Sequence, residues 1–236
     1  MSPPLVSVII PTLNRSLLLE ETLQNALSQD YGEREIIVVD DGSLDDTRQV
    51  CSRYPVQYLY QEQSGCSAAK NKGVRHASGV LVAFLDDDDL WPPGSLAARV
   101  SCWLGEPTYD HIVGKVRRFQ TNLKGQISFI DREEDSKHMF NLGAGLMLKR
   151  SFESIGGFDE SLSLSEDTDL WFRMREAGMF LKMIPEICLY YRRHDGNVTA
   201  QLQGVDQQHE LLLHSLRHKL KRIETSSSGG VAPFVA

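Results

Sequence analysis

Three short apolar runs, rich in β-branched residues, mark the first part of the sequence. They lie at Leu5–Ile10, Glu35–Val39 and Val80–Leu85, and each is followed by polar residues. Continuous apolar runs of this length are typical of strands that are buried on both faces of a parallel sheet. The pattern therefore predicts three parallel strands of one sheet.

The segments between these runs have the spacing of helices. Over Ser16–Gln29, the apolar residues Leu19, Leu23, Ala26 and Leu27 recur at helical intervals. Further helices are predicted at Asp45–Arg53 and Ser67–His76, and a further strand at Val56–Tyr60. The resulting βαβαβαβ order predicts an α/β fold with an open, twisted parallel sheet and right-handed crossovers.

The second half of the chain is less regular, and there we expect a mixed sheet with helices on both faces. The predicted strands are Ile112–Phe119, Ile127–Ile130, Gly145–Leu148 and Ile187–Arg193, and the predicted helices are Pro93–Glu106, Glu166–Glu176 and Leu202–Ile223. Because no Gly-, Pro- or Ser-rich linker divides the middle of the chain, we expect one domain over residues 1–224. Its parallel half covers about 1–92, its mixed half about 93–200 and its last helix about 202–223, followed by a flexible tail at 225–236.

Composition excludes several classes of protein. The formal net charge is −7 over 236 residues, which argues against a general nucleic-acid binder. No apolar run approaches the ~20 residues that span a bilayer, and Met1–Pro4 has no feature of a secretory signal. The four cysteines form no Cys-x-x-Cys pair, so we expect reduced thiols and a cytoplasmic protein.

Acidic clusters follow two of the predicted strands. Asp40 and Asp41 come directly after the second strand, and Asp86–Asp89 follow the fourth. Because ligands of open α/β sheets bind at the carboxyl ends of the strands, both clusters are expected along one rim. Oxygen ligands together with substrate phosphates suit Mg²⁺ or Mn²⁺. Turn and helix-capping roles are the structural alternative for either cluster alone.

The order of these motifs resembles the signature of family 2 glycosyltransferases. The resemblance rests on Val6–Arg15, Glu35–Ser43 and Phe84–Asp89, and later on Gly156–Asp159, Ser165–Trp171 and Tyr191–His194. It covers roughly Val6–Thr199. It implies a GT-A fold of Rossmann-like type and an inverting, metal-dependent transfer of a sugar from a nucleotide-sugar. The first half would then bind the nucleotide and the second half the acceptor.

The resemblance implies a set of nucleotide-binding residues. Those after the first two strands are Pro11, Thr12, Asn14, Asp40 and Asp41. Asp41 is expected to recognise the pyrimidine, because a carboxylate can accept a hydrogen bond from uracil N3, so a UDP-sugar is the first expectation.

Two further nucleotide contacts are expected where related sequences usually carry Arg-Asn. Here the pair is Lys70 and Asn71. Lysine keeps the positive charge but lacks the planar fork of arginine. A solvated helix face is the alternative for Lys70.

The resemblance also implies the metal ligands and the catalytic base. Asp88 is expected to bind Mn²⁺ or Mg²⁺ directly and Asp86 through water, with Asp87 near the ribose or the sugar. His194 is expected at the metal or the diphosphate, with an ordinary surface histidine as the alternative. Asp167 is the expected base that deprotonates the acceptor hydroxyl, and helix capping is the alternative for this residue.

The acceptor and the competing functions are less well defined by the sequence. No Trp follows Trp171, so the Gln-x-x-Arg-Trp motif of processive synthases is absent and transfer of a single sugar to a saccharide or lipid-linked acceptor is expected. The alternatives are an inactive nucleotide-sugar-binding module and a sugar-phosphate nucleotidyltransferase, although Pro11–Arg15 lacks the Gly-rich basic loop of the latter.

The basic end of Leu202–Ile223 is compatible with peripheral contact with an acidic membrane, and solvated cations are the simpler interpretation. The oligomeric state is left open.

Overall fold

The computed structural model describes residues 3–122, 126–139, 141–162, 164–194 and 197. These residues form an open eight-stranded sheet with helices. The strands are β1 (Val6–Thr12), β2 (Arg34–Asp40), β3 (Gln57–Tyr60), β4 (Leu81–Phe84), β5 (His111–Thr121), β6 (Ile127–Phe129), β7 (Gly145–Leu148) and β8 (Leu181–Arg192). The helices are α1 (Ser16–Leu27), α2 (Thr47–Cys51), α3 (Cys66–His76), α4 (Ser95–Gly105), α5 (Lys149–Ser154) and α6 (Glu166–Glu176), with 3₁₀ turns at Glu133–Asp135 and Leu142–Ala144.

The sheet is parallel in its first half and mixed in its second, as predicted. Its order is β3-β2-β1-β4-β7-β5-β6, with β8 paired to β5. The strands β1 to β4 are mutually parallel, whereas β7 is antiparallel to both β4 and β5. The chain moves outward from β1 to β3 and then returns to place β4 on the other side of β1. This reversal creates a switch point, where loops at the carboxyl ends of β1 and β4 diverge and leave room for a ligand.

The core explains why the first half could be predicted from apolar runs. All seven residues of β1 and all four of β4 are buried. Helix α1 covers the sheet with Leu19, Leu23 and Ala26, each of which is fully buried. A strand that is covered on both faces needs apolar residues at consecutive positions, and this requirement produces the runs that were visible in the sequence.

The second half differs from the prediction in two places. Strand β8 begins at Leu181 rather than Ile187, because it pairs with β5 on both sides of a register shift near Pro185. Proline cannot donate to a β-ladder, so it interrupts the strand pattern and is tolerated at such irregularities. Helix α5 was also not predicted, since six residues carry little helical periodicity.

Two predicted segments lie outside the described residues. These are the helix at Leu202–Ile223 and the tail at 225–236. Within the described part of the chain, no helix is long and apolar enough to cross a membrane.

Helix α3 packs closely on the sheet at Gly73, and this contact supports a stability prediction. A Cβ atom at Gly73 would lie 2.4 Å from Ile9 Cγ2 in the centre of β1. We expect Gly73→Ala to lower the free energy of unfolding by about 1–3 kcal/mol, because the buried strand has little room to yield. Urea denaturation measures this change.

Gly105→Ala is the matched control for this substitution. Gly105 also lies in a helix, but a Cβ atom there would meet nothing within 4 Å. We expect this variant to be as stable as the wild type or slightly more stable. Equal destabilisation by both substitutions would show that α3 does not pack on β1 as described.

Candidate functional site

The residues Asp86–Asp89, which we call the acidic turn, lie at the carboxyl end of β4 beside the end of β1. Thr12 Oγ1 donates a 2.7 Å hydrogen bond to Asp87 Oδ2. Thr22 of α1 donates from its hydroxyl group to the backbone carbonyls of Asp87 and Asp89. Because two threonines from the β1–α1 region hold this turn, its carboxylates are fixed at the switch point of the sheet.

Arg15 supplies positive charge to the acidic turn. Its Nη1 atom lies 3.1 Å from Asp87 Oδ1 and 2.8 Å from Asp88 Oδ2. Burial and the neighbouring Asp88 raise the pKa of Asp87 to about 7, while Arg15 and Thr12 oppose this shift. Arg15 had not been assigned a role from the sequence, although it directly follows Asn14 in the first motif. Its part in the site becomes visible only when β1 and β4 are neighbours.

The end of β8 closes the acidic turn from another side. Arg192 donates from its backbone N–H to Asp89 Oδ1 at 2.8 Å and from Nε to the Asp88 carbonyl at 2.6 Å. Two residues later, His194 Nε2 lies 2.9 Å from Asp88 Oδ2. The predicted neighbours Asp88 and His194 are therefore brought together, over a separation of 106 positions.

The predicted metal ligands are only partly assembled. Asp88 and His194 converge, whereas Asp86 faces Lys70, with Oδ1 and Nζ 3.4 Å apart. Among the residues that the structure describes, no group of three or more His, Cys, Asp or Glu side chains could hold a metal ion. Asp88 and His194 fit an ion that takes its remaining ligands from substrate phosphates, as Mg²⁺ commonly does.

Lys70 is buried beside three partly exposed carboxylates, and we call these four residues the lysine cluster. Its side chain is 3% exposed, and Nζ lies 3.4 Å from Asp86, 3.5 Å from Glu166 and 3.8 Å from Asp167. Burial alone would lower the pKa of Lys70, but the surrounding carboxylates raise this pKa well above its ordinary value. This burial excludes the alternative of a solvated helix face.

Asp167 combines one bonded and one unbonded carboxylate oxygen. Its Oδ2 atom accepts a 2.9 Å hydrogen bond from the backbone N–H of Leu142. Its Oδ1 atom is buried without a hydrogen-bond partner. Burial, followed by the charges of Glu166 and Asp86, raises the pKa of Asp167 to about 7 against the opposing effect of Lys70. Asp167 lies in the first turn of α6, where an acidic residue suits the helix N-terminus, but its hydrogen bond comes from Leu142 and not from an amide of α6.

The predicted nucleotide-binding carboxylates Asp40 and Asp41 also organise the loops around them. Asp40 accepts hydrogen bonds from the Ser43 backbone at 2.7 Å and from the Tyr58 hydroxyl at 2.6 Å. Asp41 is buried at the same rim. It accepts three hydrogen bonds, from Gln61 Nε2, Ser64 N and Gly65 N. The two carboxylates thus shape the loops that border the rim.

Other predicted residues have mainly structural contacts. Pro11 is buried in β1. Asn14, at a left-handed φ of 53°, accepts from Leu44 N at 2.7 Å and ties the β1 loop to the β2 loop. Asn71 Nδ2 donates to the Phe158 carbonyl at 2.9 Å, and Asn71 Oδ1 accepts from the Phe158 N–H. Asn71 therefore fastens the loop that leads to α6 and does not face the rim with Lys70.

A cavity of about 550 Å³ opens beside Asp40. Its other lining residues are Ser43, Leu44, Asp45, Arg48, Tyr58 and Tyr60. The cavity is thus bordered by β3 and α2, whereas Arg15, Lys70 and His194 lie around the acidic turn. For this reason we place the candidate phosphate and metal chemistry at the turn.

Comparisons with known proteins identify the family and the fold of the chain. The family model described as glycosyl transferase family 2 matches residues 7–155. An uncharacterized glycosyltransferase of Rickettsia typhi is 30% identical, covering 94% of this chain and 74% of the relative. The GalNAc(5)-diNAcBac-PP-undecaprenol beta-1,3-glucosyltransferase of Campylobacter jejuni is 32% identical, covering 80% of this chain and 63% of the relative.

Solved structures show the same fold. TarS 1–349 of S. aureus in complex with UDP-GlcNAc has a TM-score of 0.67 at 19% identity, covering 92% of this chain and 73% of that one. The mannosyltransferase PcManGT of Pyrobaculum calidifontis, in complex with GDP-Man and Mn²⁺, has a TM-score of 0.65 at 22% identity. That comparison covers 99% of this chain and 78% of the neighbour.

The raised pKa of Asp167 generates a prediction about stability and pH. The folded protein keeps a proton on Asp167 up to a pKa of about 7, whereas an unperturbed carboxyl loses it near 3.8. Stabilisation from this proton is therefore full below about pH 4 and is lost as the pH rises to about 7. Urea denaturation across this pH range measures the free energy of unfolding. We expect this free energy to fall less with rising pH in Asp167→Asn than in the wild type, with a difference on the order of 1–3 kcal/mol.

Asp46→Asn is the control for loss of one negative charge. Asp46 is exposed and makes no side-chain cap hydrogen bond at α2. The free energy of unfolding of this variant should change with pH as it does in the wild type. If Asp167→Asn also followed it, the folded protein would not hold the additional proton on Asp167.

Proposed function

Because the chain belongs to glycosyl transferase family 2, we propose that it is an inverting, metal-dependent glycosyltransferase. It moves one sugar from a nucleotide-sugar to a hydroxyl group of a saccharide or lipid-linked acceptor, without processive elongation. The observation that carries this proposal is the buried, unbonded Oδ1 atom of Asp167, within reach of the same lysine that contacts the acidic turn.

The donor diphosphate binds at the acidic turn. Arg15 and Lys70 bring positive charge to this edge of the sheet, and cations of this kind offset the negative charge of a diphosphate. The neighbour TarS was solved with UDP-GlcNAc, which supports a UDP-sugar as the first donor to examine. The loops held by Asp40 and Asp41 border the nucleoside, where Asp41 keeps one acceptor position beyond its three hydrogen bonds.

Asp88 and His194 are the residues that hold the metal ion, Mn²⁺ or Mg²⁺. The Mn²⁺ present with GDP-Man in the PcManGT structure supports this choice of ion. When bound, a divalent ion neutralises the negative charge that builds up on a departing nucleoside diphosphate. Arg15 contacts the same Asp88 oxygen as His194, so it supplies counter-charge to that carboxylate in the absence of the ion.

Asp167 acts as the general base. Its Oδ1 atom accepts the proton of the acceptor hydroxyl, while the acceptor oxygen forms the new bond to the anomeric carbon and the bond to the diphosphate breaks. The Leu142 N–H holds Oδ2, so the unbonded oxygen keeps a fixed direction. A pKa of about 7 suits a base that must be ionised before the reaction and protonated after it near neutral pH.

The unbonded oxygen also favours an enzyme over an inactive binding module. Asp167 Oδ1 lies 3.8 Å from Lys70 Nζ, beyond hydrogen-bond distance, and a buried polar atom without a hydrogen bond costs about 1–3 kcal/mol of stability. Such an atom is retained most readily where a substrate supplies the missing partner. Nucleotide binding at the acidic turn alone supplies no hydrogen-bond donor to this oxygen.

The donor site can be tested by calorimetric titration. We expect UDP to bind the wild type more tightly than GDP, dTDP or CDP, and only with Mn²⁺ present. Asp88→Asn should weaken metal-dependent UDP binding by roughly tenfold or more, about 1.4 kcal/mol, because it removes a charged metal ligand. Absence of binding by all four nucleotides in the presence of Mn²⁺ would contradict the proposed function.

The base can be tested by turnover, measured as UDP release from a panel of UDP-sugars with candidate acceptors. We expect Asp167→Asn to lower kcat by about 10²–10⁴-fold and to leave UDP affinity nearly unchanged. Glu166→Gln is the matched control, since Glu166 contacts the same lysine at 3.5 Å. A larger loss in Glu166→Gln than in Asp167→Asn would assign the base to Glu166 instead.

A further inference from the structure

Helix α4 contains a fully buried arginine without a carboxylate partner. Arg99 is 0% exposed, and among the described residues it takes part in no ion pair. Burial lowers the pKa of Arg99 to about 10, so the side chain still carries its charge at neutral pH. A buried charge without an ion partner is costly, and its contacts therefore require an explanation.

The guanidinium group of Arg99 is directed at backbone carbonyls. Its Nη1 atom donates to the Gly145 carbonyl at 2.5 Å and more weakly to the Gly143 carbonyl at 3.5 Å. The group lies 4.4 Å from the ring centre of Trp91, and Trp91 Nε1 donates to the Gly143 carbonyl at 2.8 Å. Arg99 and Trp91 therefore hold residues 142–145, which we call the glycine turn, from the same side.

The glycine turn is also the backbone that contacts Asp167. Leu142, its first residue, donates its N–H to Asp167 Oδ2. Within the turn, the Gly143 N–H is bonded to Asn141 Oδ1 at 2.7 Å. A Cβ atom at Gly145 would lie 2.4 Å from His111 Nε2. The turn is thus packed on one side, bonded to Arg99 and Trp91, and connected to Asp167 by a single amide.

We infer that Arg99 is a positioning residue for Asp167: it acts through the glycine turn and holds the Leu142 N–H toward the carboxylate. This inference rests on the proposed role of Asp167 as the base. Arg99 does not contact the acidic turn or the lysine cluster in any described interaction. Its loss should therefore disturb the base and leave the donor-binding residues in place.

The two directions of hydrogen bonding explain why a charged side chain is used here. Carbonyls of the turn point to Arg99 and Trp91, while the Leu142 N–H points to Asp167. Hydrogen bonds from a charged donor are shorter and roughly twice as strong as neutral ones. A guanidinium group also has several donors in a fixed plane. Nε and Nη2 bond to Ser95 of α4 and orient this plane, so that Nη1 can hold the two carbonyls of the turn.

The experiment compares Arg99→Met with Arg99→Lys in the full chain. Methionine retains an unbranched side chain but removes both charge and donors, whereas lysine retains the charge and one point of attachment. Amide hydrogen exchange is followed in a peptide that covers the glycine turn. We expect roughly tenfold faster exchange in Arg99→Met, with partial restoration in Arg99→Lys. UDP affinity with Mn²⁺ should match that of the wild type in both variants.

Turnover completes the experiment. We expect kcat to fall roughly tenfold or more in Arg99→Met, with KM for the UDP-sugar nearly unchanged, and to recover partly in Arg99→Lys. If Arg99→Met fails to fold, Trp91→Phe provides the second variant, since it keeps the aromatic ring and removes only the donor to Gly143. In Trp91→Phe we likewise expect faster amide hydrogen exchange in the glycine turn and a lower kcat.

The outcomes separate this inference from the proposed function. Unchanged exchange in the glycine turn, or faster exchange with wild-type kcat, would overturn the positioning role of Arg99. Equal losses of kcat in Arg99→Lys and Arg99→Met would also contradict this role. Wild-type turnover in Asp167→Asn would instead overturn the assignment of the base, and absence of UDP binding would overturn the donor site. Neither of these two results depends on Arg99.

Discussion

The carboxylates of the acidic turn can lie together only because cations from distant segments are placed against them. The cations are Arg15 from the β1–α1 loop and Lys70 from α3, and the end of β8 adds the Arg192 backbone N–H and His194 Nε2. Like charges this close raise each other's pKa, and each added cation reduces that effect. The switch point of the sheet is where these segments can meet, so the topology and the charge balance depend on each other.

The cations offset the negative charge of the carboxylates only in part, and the pKa values of two carboxyl groups reflect this. Burial raises the pKa of both Asp87 and Asp167 to about 7, even though Arg15 and Lys70 oppose the shift. Each carboxyl can therefore gain or lose a proton with small changes in nearby charge. In the proposed function, a divalent ion and a diphosphate would change that charge directly, and Lys70 would connect the donor site to the base.

The sequence predicts the parallel half of the fold well because its signals are local. A strand covered on both faces must be apolar at successive positions, and the acidic residues at its end are adjacent in the chain. The role of Arg15 and the early start of β8 at Leu181 depend instead on contacts between distant segments. Asp167 could be placed by its resemblance to a family motif, but its bond to Leu142 could not, since a backbone N–H carries no sequence signal.

The predicted pair Lys70 and Asn71 shows how one helix joins the two halves of the molecule. Lys70 reaches Glu166 and Asp167 at the start of α6, while Asn71 binds the backbone of Phe158 in the loop before it. Successive helical residues point about 100° apart, so both cannot face one ligand. Lys70 alone remains near the acidic turn, and Asn71 fixes the distance between that turn and α6. An inverting transfer needs this distance to be fixed, because the base and the leaving group must lie on opposite faces of the same sugar.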